Sequence, residues 1–281
     1  MTFGSPLRRS LPAPGTPCWV ELATGDEDTA QRFYGKLFGW RFDAHRDPST
    51  PTGRYLIATL GGSQVGGLYR RAEGSAPQWT VNISVHNTAG AAEWVARLGG
   101  VVTLGPVGIP RRGSVLHAMD PAGAPLVLWQ PPPDWDFGTG VPNTFATADL
   151  NTHDGATADA FFGRLFRYRC LQIGDHHGID YAEWQLDHQP VLYRYVMGPE
   201  YPADTPPHWM VYFAADPAVG VDATAGHAVM LGGRIVVGAY DSPWGRIAVV
   251  ADPDGAVFSI VDRNEVPQDW GRAEVDDPYD D

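Results

Sequence analysis

The amino-acid sequence repeats itself, and this repeat constrains the fold more than any other feature. The segment 33–42 (FYGKLFGWRF) recurs at 161–170 (FFGRLFRYRC), 128 positions later. Further matches lie 130 to 133 positions apart: Trp79 with Trp209, Leu-Gly-Gly at 98–100 with 231–233, and the Asp-Pro turn at 120–123 with 252–255. Self-similarity at a nearly constant spacing marks a duplicated structural unit. The chain of 281 residues is therefore predicted to consist of two homologous halves.

The boundary between the halves is visible in the composition. Prolines and glycines concentrate at residues 131–142, as they do in linkers. We expect a first domain at residues 14–131, a second at 140–264 and an acidic tail at 265–281. Five acidic side chains fall within the last nine residues, which supports the assignment of a tail.

Each half divides again, because residues 79–100 read as a weaker copy of 17–39. Every module opens with an alternating strand, continues into a helix and closes with short β-like runs. The first helix carries one apolar stripe, formed by Ala30, Phe33, Tyr34, Leu37 and Phe38. The predicted fold class is α+β, with four βαβββ modules in two domains.

The opening strands can be sorted by side-chain parity, since successive residues of a strand point to opposite faces. In each module one parity is apolar and is expected to pack on the helix. The other parity is polar and aromatic, and it includes Trp19, Glu21, Asp149 and Tyr212. Large aromatic side chains on that face favour a sheet that curls around a cavity over one that faces water.

Several of these motifs carry a family resemblance. The runs 15–24 (GTPCWVELAT) and 33–40 (FYGKLFGW), with the closing runs 120–129 and 252–260, resemble the vicinal oxygen chelate superfamily, also called the glyoxalase, bleomycin resistance and dioxygenase superfamily. The resemblance covers about residues 15–263. It implies two glyoxalase-like domains, each with curved mixed sheets around a ligand cavity. Whether the first module pairs with the second or with the fourth stays open.

The superfamily includes metal-dependent lyases, isomerases and dioxygenases, and also metal-free proteins that sequester antibiotics. In its metal-dependent members the ligands are His, Gln or Glu on the first strands and Glu in the last strand. The last-strand positions here are Val127 and Ser259, and the first-strand positions are Glu21, Asn82, Asp149 and Tyr212. One carboxylate per half is too few for a transition-metal site, which needs three or four convergent side chains. We expect no metal and no other cofactor.

The candidate ligand-binding residues come from the inward parity and from aromatic side chains in strands. They are Trp19, Glu21, Asn82, Trp129, Asp149, Trp184, His208 and Tyr212. Glu21 and Asp149 have three open roles: a general acid or base, a counter-ion for a cationic ligand, or a carboxylate held by hydrogen bonds. His208 is expected near the cavity mouth, as a hydrogen-bond partner or a proton donor.

The charge balance restricts the partners. The net charge is −13, and −8 remains without the acidic residues of the last nine positions. Such a surface repels phosphate backbones and anionic lipids, so no nucleic acid and no membrane is expected as a partner. With no apolar run of membrane-spanning length and no signal peptide, we expect a cytoplasmic monomer or homodimer. The predicted partner is a small aromatic ligand, neutral or cationic.

Two functions remain open from the sequence. The first is metal-free binding of an aromatic or hydrophobic small molecule, either to sequester an antibiotic and confer resistance or as an accessory in natural-product biosynthesis. The second is an enzyme of the same superfamily, a lyase, isomerase or oxygenase, acting on a secondary metabolite either without a metal or with a metal held by ligands other than the family's. The missing family ligands favour the first, but a fold alone does not choose between them.

Overall fold

The computed structural model describes residues 12–173 and 179–264. Within these ranges the chain forms sixteen strands and four helices, arranged as two eight-stranded sheets. The α+β class with four βαβββ modules is confirmed. The predicted acidic tail at 265–281 lies outside the described residues.

The first half contains two modules. Its elements are β1 (Pro17–Thr24), α1 (Glu27–Phe38), β2 (Arg41–Arg46), β3 (Arg54–Leu60), β4 (Ser63–Arg70), β5 (Gln78–Ser84), α2 (Thr88–Arg97), β6 (Val101–Ile109), β7 (Gly113–Met119) and β8 (Pro125–Gln130).

The second half repeats this order. Its elements are β9 (Phe145–Thr152), α3 (Gly155–Phe166), β10 (Arg169–Gln172), β11 (Tyr181–Leu186), β12 (Gln189–Val196), β13 (His208–Ala214), α4 (Val221–Met230), β14 (Arg234–Ser242), β15 (Gly245–Ala251) and β16 (Val257–Asp262).

The strand order answers the question of module pairing. The sheets read β2-β3-β4-β1-β5-β8-β7-β6 and β10-β11-β12-β9-β13-β16-β15-β14. In each sheet the two opening strands run antiparallel side by side, β1 with β5 and β9 with β13. The first module therefore pairs with the second, and the third with the fourth.

The helix ends follow from local sequence. The Asp26 carboxylate accepts hydrogen bonds from the backbone N–H groups of Asp28 and Thr29, which caps α1. Asp154 caps α3 in the same way, through the N–H of Thr157. Helix α1 ends at Gly39, whose φ of 75° lies in the left-handed region that glycine adopts without strain.

The apolar parity of the opening strands packs on the helices, in a core that takes residues from both halves. Phe38 of α1 contacts Phe213 of the second sheet, with ring centroids 5.2 Å apart. The hydroxyl of Tyr34 donates a 3.1 Å hydrogen bond to Asp252 Oδ2 across the same junction. The two halves thus share one hydrophobic interior, and their inward faces point away from it.

No described helix has the length and apolar character that a membrane crossing requires.

Candidate ligand cavity

The hydrogen-bond register identifies equivalent positions in the two halves. Glu21 on β1 lies opposite Gly67 on β4, and Asp149 on β9 lies opposite Tyr193 on β12. Both carboxylates are nearly fully buried, at 4% and 5% exposure, on the face of the sheet away from the helices. They are the same structural position, once in each half.

Each carboxylate accepts a hydrogen bond from a tyrosine of the equivalent strand. The Tyr55 hydroxyl on β3 donates to Glu21 Oε2 at 2.9 Å, and the Tyr181 hydroxyl on β11 donates to Asp149 Oδ1 at 3.2 Å. Gly67 makes room in the first half, since a Cβ there would lie 2.3 Å from the Tyr55 ring. The duplication has therefore kept a tyrosine–carboxylate pair in both halves.

The second half contains a cavity of about 890 Å³ on this inward face. Seven aromatic side chains of the described residues line it: Tyr181, Tyr193, Tyr195, Tyr201, Tyr212, Tyr240 and Trp244. Asp149 also lines it, together with smaller side chains such as Thr147 and Val261. A cavity of this volume is within the range of small-molecule sites, which combine apolar walls with a few polar groups.

Asp149 is the buried charge of the cavity. Besides the bond from Tyr181, its Oδ2 accepts a 2.7 Å hydrogen bond from the Tyr212 hydroxyl. Burial raises the pKa of the Asp149 carboxyl from its ordinary 3.8 to about 6, while the two tyrosine hydrogen bonds and the charge of Arg263 act to lower it. The group therefore titrates close to neutrality, in a position that a ligand can reach.

Other polar groups complete the lining. The Ser259 hydroxyl is buried and has no hydrogen-bond partner among the described residues. Asn151 lies 3.2 Å from Nε2 of His208 and 3.3 Å from the Tyr201 hydroxyl, measured from its Nδ2. The Ser259 hydroxyl can therefore make a hydrogen bond to a ligand besides those at Asp149, whereas the Nδ2 of Asn151 already has partners.

The equivalent space in the first half is occupied by the protein itself. The guanidinium of Arg112 lies 4.6 Å from the ring centroid of Tyr55, 5.2 Å from Trp129, 5.5 Å from Trp135 and 6.0 Å from Trp19. Its closest carboxylate is Asp47, at 3.7 Å from Nη1 to Oδ2. The guanidinium is thus held mainly by aromatic faces, in a cation–π cage.

Side-chain size explains why one half is filled and the other open. In the first half, Trp19 on β1 lies opposite Asn82 on β5. In the second half, Thr147 on β9 lies opposite Tyr212 on β13, so Trp19 and Thr147 occupy equivalent positions. By the same reasoning Trp129, opposite Val115, corresponds to Val261, opposite Ile247. Two indole rings are thus replaced by a threonine and a valine.

Besides these two replacements, the halves differ in one hairpin turn. The turn between β6 and β7 ends in Arg112 and Gly113, and the turn between β14 and β15 ends in Trp244 and Gly245. Arg112 folds into the first half, whereas Trp244 stands at the wall of the cavity, its ring centroid 4.9 Å from that of Tyr181. Among the described residues, the cation at the cavity is Arg263, an exposed side chain that follows β16.

The predicted site residues divide between the halves. Asp149 and Tyr212 lie together at the cavity. Trp19, Glu21, Asn82 and Trp129 also lie together, but in the filled first half, where each is buried. His208 stands behind Asn151 and does not itself line the cavity.

Trp184 requires a correction, because it lies on the opposite face from the cavity. Its ring stacks on Phe162 of α3, with centroids 4.5 Å apart, and its Nε1 donates a 2.7 Å hydrogen bond to Asp159 Oδ1. Along β11 it is Tyr181 that faces the cavity, and Trp184, three residues on, has the opposite parity. Trp184 is therefore a core residue.

Sequence reasoning missed Tyr181, Tyr193, Trp244 and Arg112. One signal was available: Tyr55 and Tyr181 stand 126 positions apart, close to the spacing of the repeat. Nothing in the sequence indicated that Arg112 is buried, because an arginine in a turn is usually exposed.

The donor set does not fit a metal centre of the family's kind. The paired positions are Glu21, Gly67, Asn82 and Val127 in the first half, and Asp149, Tyr193, Tyr212 and Ser259 in the second. Each set holds a single carboxylate and no histidine, fewer strong ligands than a transition metal needs. Over residues 12–173 and 179–264, no group of three or more His, Cys, Asp or Glu side chains could hold a metal ion.

A larger hollow, of about 1030 Å³, follows the linker between the halves. Turns and linker residues form most of its wall, including Pro12, Thr139 and Pro142. It lacks the carboxylate held by two tyrosines. We therefore place the candidate site in the cavity of the second half.

Comparison with known proteins gives relatives of matching length. No family model matches the chain. It is 33% identical over 262 residues to the "Putative glyoxylase CFP32" of Mycobacterium tuberculosis, covering 90% of this chain and 97% of the relative. It is 29% identical to the "Anthracycline biosynthesis protein DnrV" of Streptomyces peucetius, covering 90% and 95%.

Solved structures share the fold at low sequence identity. The Mn(II)-bound glyoxalase from Novosphingobium aromaticivorans matches with a TM-score of 0.63 at 15% identity, over 93% of this chain and 92% of that one. The 2,3-dioxygenase LapB from Pseudomonas sp. KL28 matches with a TM-score of 0.63 at 14% identity, over 88% and 92%. The four-module arrangement is therefore shared with these proteins.

Proposed function

The chain belongs to the vicinal oxygen chelate superfamily, and on that premise we propose that it binds a planar aromatic small molecule in its second half without a metal ion. The observation that carries the proposal is the difference between the halves. The inward face of the first half is filled by its own Arg112 and tryptophans, whereas that of the second is an aromatic-walled cavity around Asp149.

The cavity walls fit a flat ligand. Aromatic pairs contribute about 0.5–1.5 kcal/mol each beyond the burial of apolar surface. Micromolar affinity corresponds to about −8 kcal/mol, so stacking must be combined with substantial enclosure. The cavity offers both, because its seven aromatic side chains surround a volume of about 890 Å³.

The relatives support a ligand from secondary metabolism. Two of them, from Streptomyces species, are named anthracycline biosynthesis proteins, and they align over 90% of this chain. We propose that the protein holds an aromatic natural product, either to sequester it and so protect the cell or as an accessory to its biosynthesis.

Asp149 supports a second candidate function, metal-independent proton transfer. A buried carboxylate with a pKa of about 6 can accept a proton from a bound substrate near neutral pH. The two tyrosine hydroxyls would hold the carboxylate in one orientation for that step. This function would make the protein an isomerase or lyase of the same superfamily, with Asp149 as its base.

Fluorescence titration of chelator-treated protein tests the binding function. A soluble anthraquinone should quench tryptophan emission saturably, because Trp244 lines the cavity. Binding that appears only after a divalent metal is restored would contradict the metal-free proposal. Recovery of the ligand by chromatography and mass spectrometry then separates the two functions, since a binding protein returns it unchanged and an enzyme returns a product.

A further inference from the structure

We propose that the aromatic ligand carries a positively charged group, an alkylammonium or a guanidinium, which binds beside Asp149 in the place that the Arg112 guanidinium takes in the first half. The inference rests on the proposed function, because it assigns a charge to the ligand of that cavity. Three features of the described residues support it.

The first feature is the position of the Arg112 guanidinium. Its neighbours Tyr55, Trp129 and Trp19 correspond to Tyr181, Val261 and Thr147 of the second half. All three of those residues line the cavity. The position that the Arg112 guanidinium occupies in the first half therefore corresponds to open space within the cavity of the second half.

The second feature is the tyrosine–carboxylate pair that faces this point. In the first half the charge of Arg112 favours the ionised form of Glu21, which burial disfavours. In the second half Trp244 is the equivalent of Arg112, so Asp149 keeps its tyrosines but lacks the enclosed guanidinium that Glu21 has. The cation that the described lining does hold, Arg263, is an exposed side chain, and its charge also favours the ionised carboxylate. A ligand cation would supply the missing charge.

The third feature is the charge of the remaining lining. Among the described residues, three carboxylates line the cavity, from Asp149, Glu200 and Asp241, against one cation, Arg263. Asp241 is paired with Arg246, at 2.7 Å, and Glu200 accepts a hydrogen bond from Tyr195. The tyrosine faces add negative potential of their own, because the ring quadrupole attracts cations. An anionic group would meet repulsion on the same surfaces.

Three anthraquinones that differ at one substituent test the charge directly. They are 2-(aminomethyl)anthraquinone, 2-(hydroxymethyl)anthraquinone and anthraquinone-2-carboxylate, which are cationic, neutral and anionic at neutral pH. We expect the aminomethyl compound to bind about tenfold more tightly than the hydroxymethyl compound, a difference of about 1.4 kcal/mol, and the carboxylate to bind least. Isothermal titration of the full chain gives each dissociation constant.

Two variants locate the charge preference. Asp149→Asn should reduce the tenfold preference to less than about twofold, because the amide carries no charge. Trp244→Arg places a guanidinium at the position of Arg112, and it should also abolish the preference for the cation. Glu21→Gln is the matched control, since it changes the equivalent carboxylate in the half without the cavity, and it should leave the preference unchanged. Circular dichroism establishes that each variant is folded.

The outcomes separate the two proposals. If none of the three compounds binds the native protein, the proposed function fails and the cation inference fails with it. If the neutral compound binds as tightly as the cation, the inference is wrong while the binding function stands. If the native preference survives in both Asp149→Asn and Trp244→Arg, the charged group binds elsewhere and the inference is also wrong.

Discussion

The Tyr212 hydroxyl donates a 2.7 Å hydrogen bond to Asp149 Oδ2, from the strand that runs antiparallel beside that of Asp149. Tyr212 stands where the first half has Asn82, so a second tyrosine beside the carboxylate is specific to the half with the cavity. It leaves the carboxylate held from two sides, by Tyr212 and Tyr181. The site is thereby oriented before any ligand arrives.

Tyr212→Phe should weaken the binding of the aminomethyl compound several-fold at pH 6.5. The lost hydrogen bond favours the ionised carboxylate, so without it the pKa of Asp149 rises further and less of the group is charged. Isothermal titration measures the effect. Tyr195→Phe is the matched control, because its hydroxyl donates to Glu200, and an equal loss in that variant would contradict the role given to Tyr212.

Thr147→Trp combined with Val261→Trp should fill the cavity and abolish anthraquinone binding. The first half accommodates tryptophan at both equivalent positions, as Trp19 and Trp129, so the fold should tolerate them. The measurement is fluorescence quenching or calorimetry, with Val219→Trp as an exposed control. Undiminished binding in the double variant would place the ligand outside this cavity.

Asp149→Asn should raise the free energy of unfolding at pH 7.5, by up to about 3 kcal/mol. The folded-state pKa of Asp149 is about 6, above its ordinary 3.8. The group therefore stabilises the fold fully below pH 3.8 and loses this contribution as the pH rises through 6. Asparagine stays neutral throughout, so the advantage of the variant should shrink from pH 7.5 towards pH 4.5.

Urea denaturation at both pH values measures this difference. Asp26→Asn is a control of opposite sign, because hydrogen bonds to Thr29 lower the pKa of the exposed Asp26 carboxyl. That variant should lose a little stability at pH 7.5. An Asp149→Asn variant that is less stable than the native protein at pH 7.5 would show that the hydrogen bonds from the tyrosines outweigh the burial of the charge.

Affinity for the aminomethyl compound should increase as the pH rises from 5 to 7, while affinity for the hydroxymethyl compound stays constant. The described tyrosines that face Asp149 do not titrate in this range, because the pKa values of Tyr181, Tyr193 and Tyr212 are raised. At the rim, the Tyr195 hydrogen bond lowers the pKa of Glu200, which stays ionised. A flat profile for the cation would mean that Asp149 is not its partner.

Arg112→Ala should destabilise the protein by about 3–5 kcal/mol, since it leaves the buried Asp47 carboxylate without its counter-ion and empties the cage. Thermal or urea unfolding measures the loss. Millimolar ethylguanidinium should restore part of it by entering the cage, and ethylurea, which is neutral and of similar shape, should not. Equal effects of the two compounds would show that the cage does not select for charge.

Strand parity predicted which face of the sheet Asp149 and Tyr212 occupy, because parity depends only on local geometry. Asp149 and Tyr212 lie on the inward face of opening strands, whose other face is clearly apolar. Trp184 was assigned to the wrong face because β11 carries an aromatic side chain on each face, Tyr181 on one and Trp184 on the other. The alternation of residue types therefore does not show which face of β11 packs in the core. Only packing against Phe162 determines which side enters the core.

Two features depend on tertiary contacts that the alternation of residues along a strand does not predict. They are the pairing of the modules and the filling of the first half by its own side chains. The order of the four modules along the chain favours neither pairing, and the hydrogen bonds between β1 and β5 decide it. Arg112 enters its cage through a turn, where no periodicity applies, and Trp135 of the linker folds over it. The first half is filled and the second is open because of tertiary packing at three equivalent positions. These are Trp19 and Thr147, Trp129 and Val261, and Arg112 and Trp244.

The shared interior has a thermodynamic consequence. Phe38 packs on Phe213, and Tyr34 bonds to Asp252, so the buried contacts of the first helix are completed by the other half of the chain. Two repeats joined in this way lose those contacts together, which favours a single cooperative unfolding transition over two independent ones. Stabilisation of the closed first half by Arg112 is then transmitted to the half that holds the ligand. The filled first half thereby helps to keep the second half folded and rigid around its open cavity.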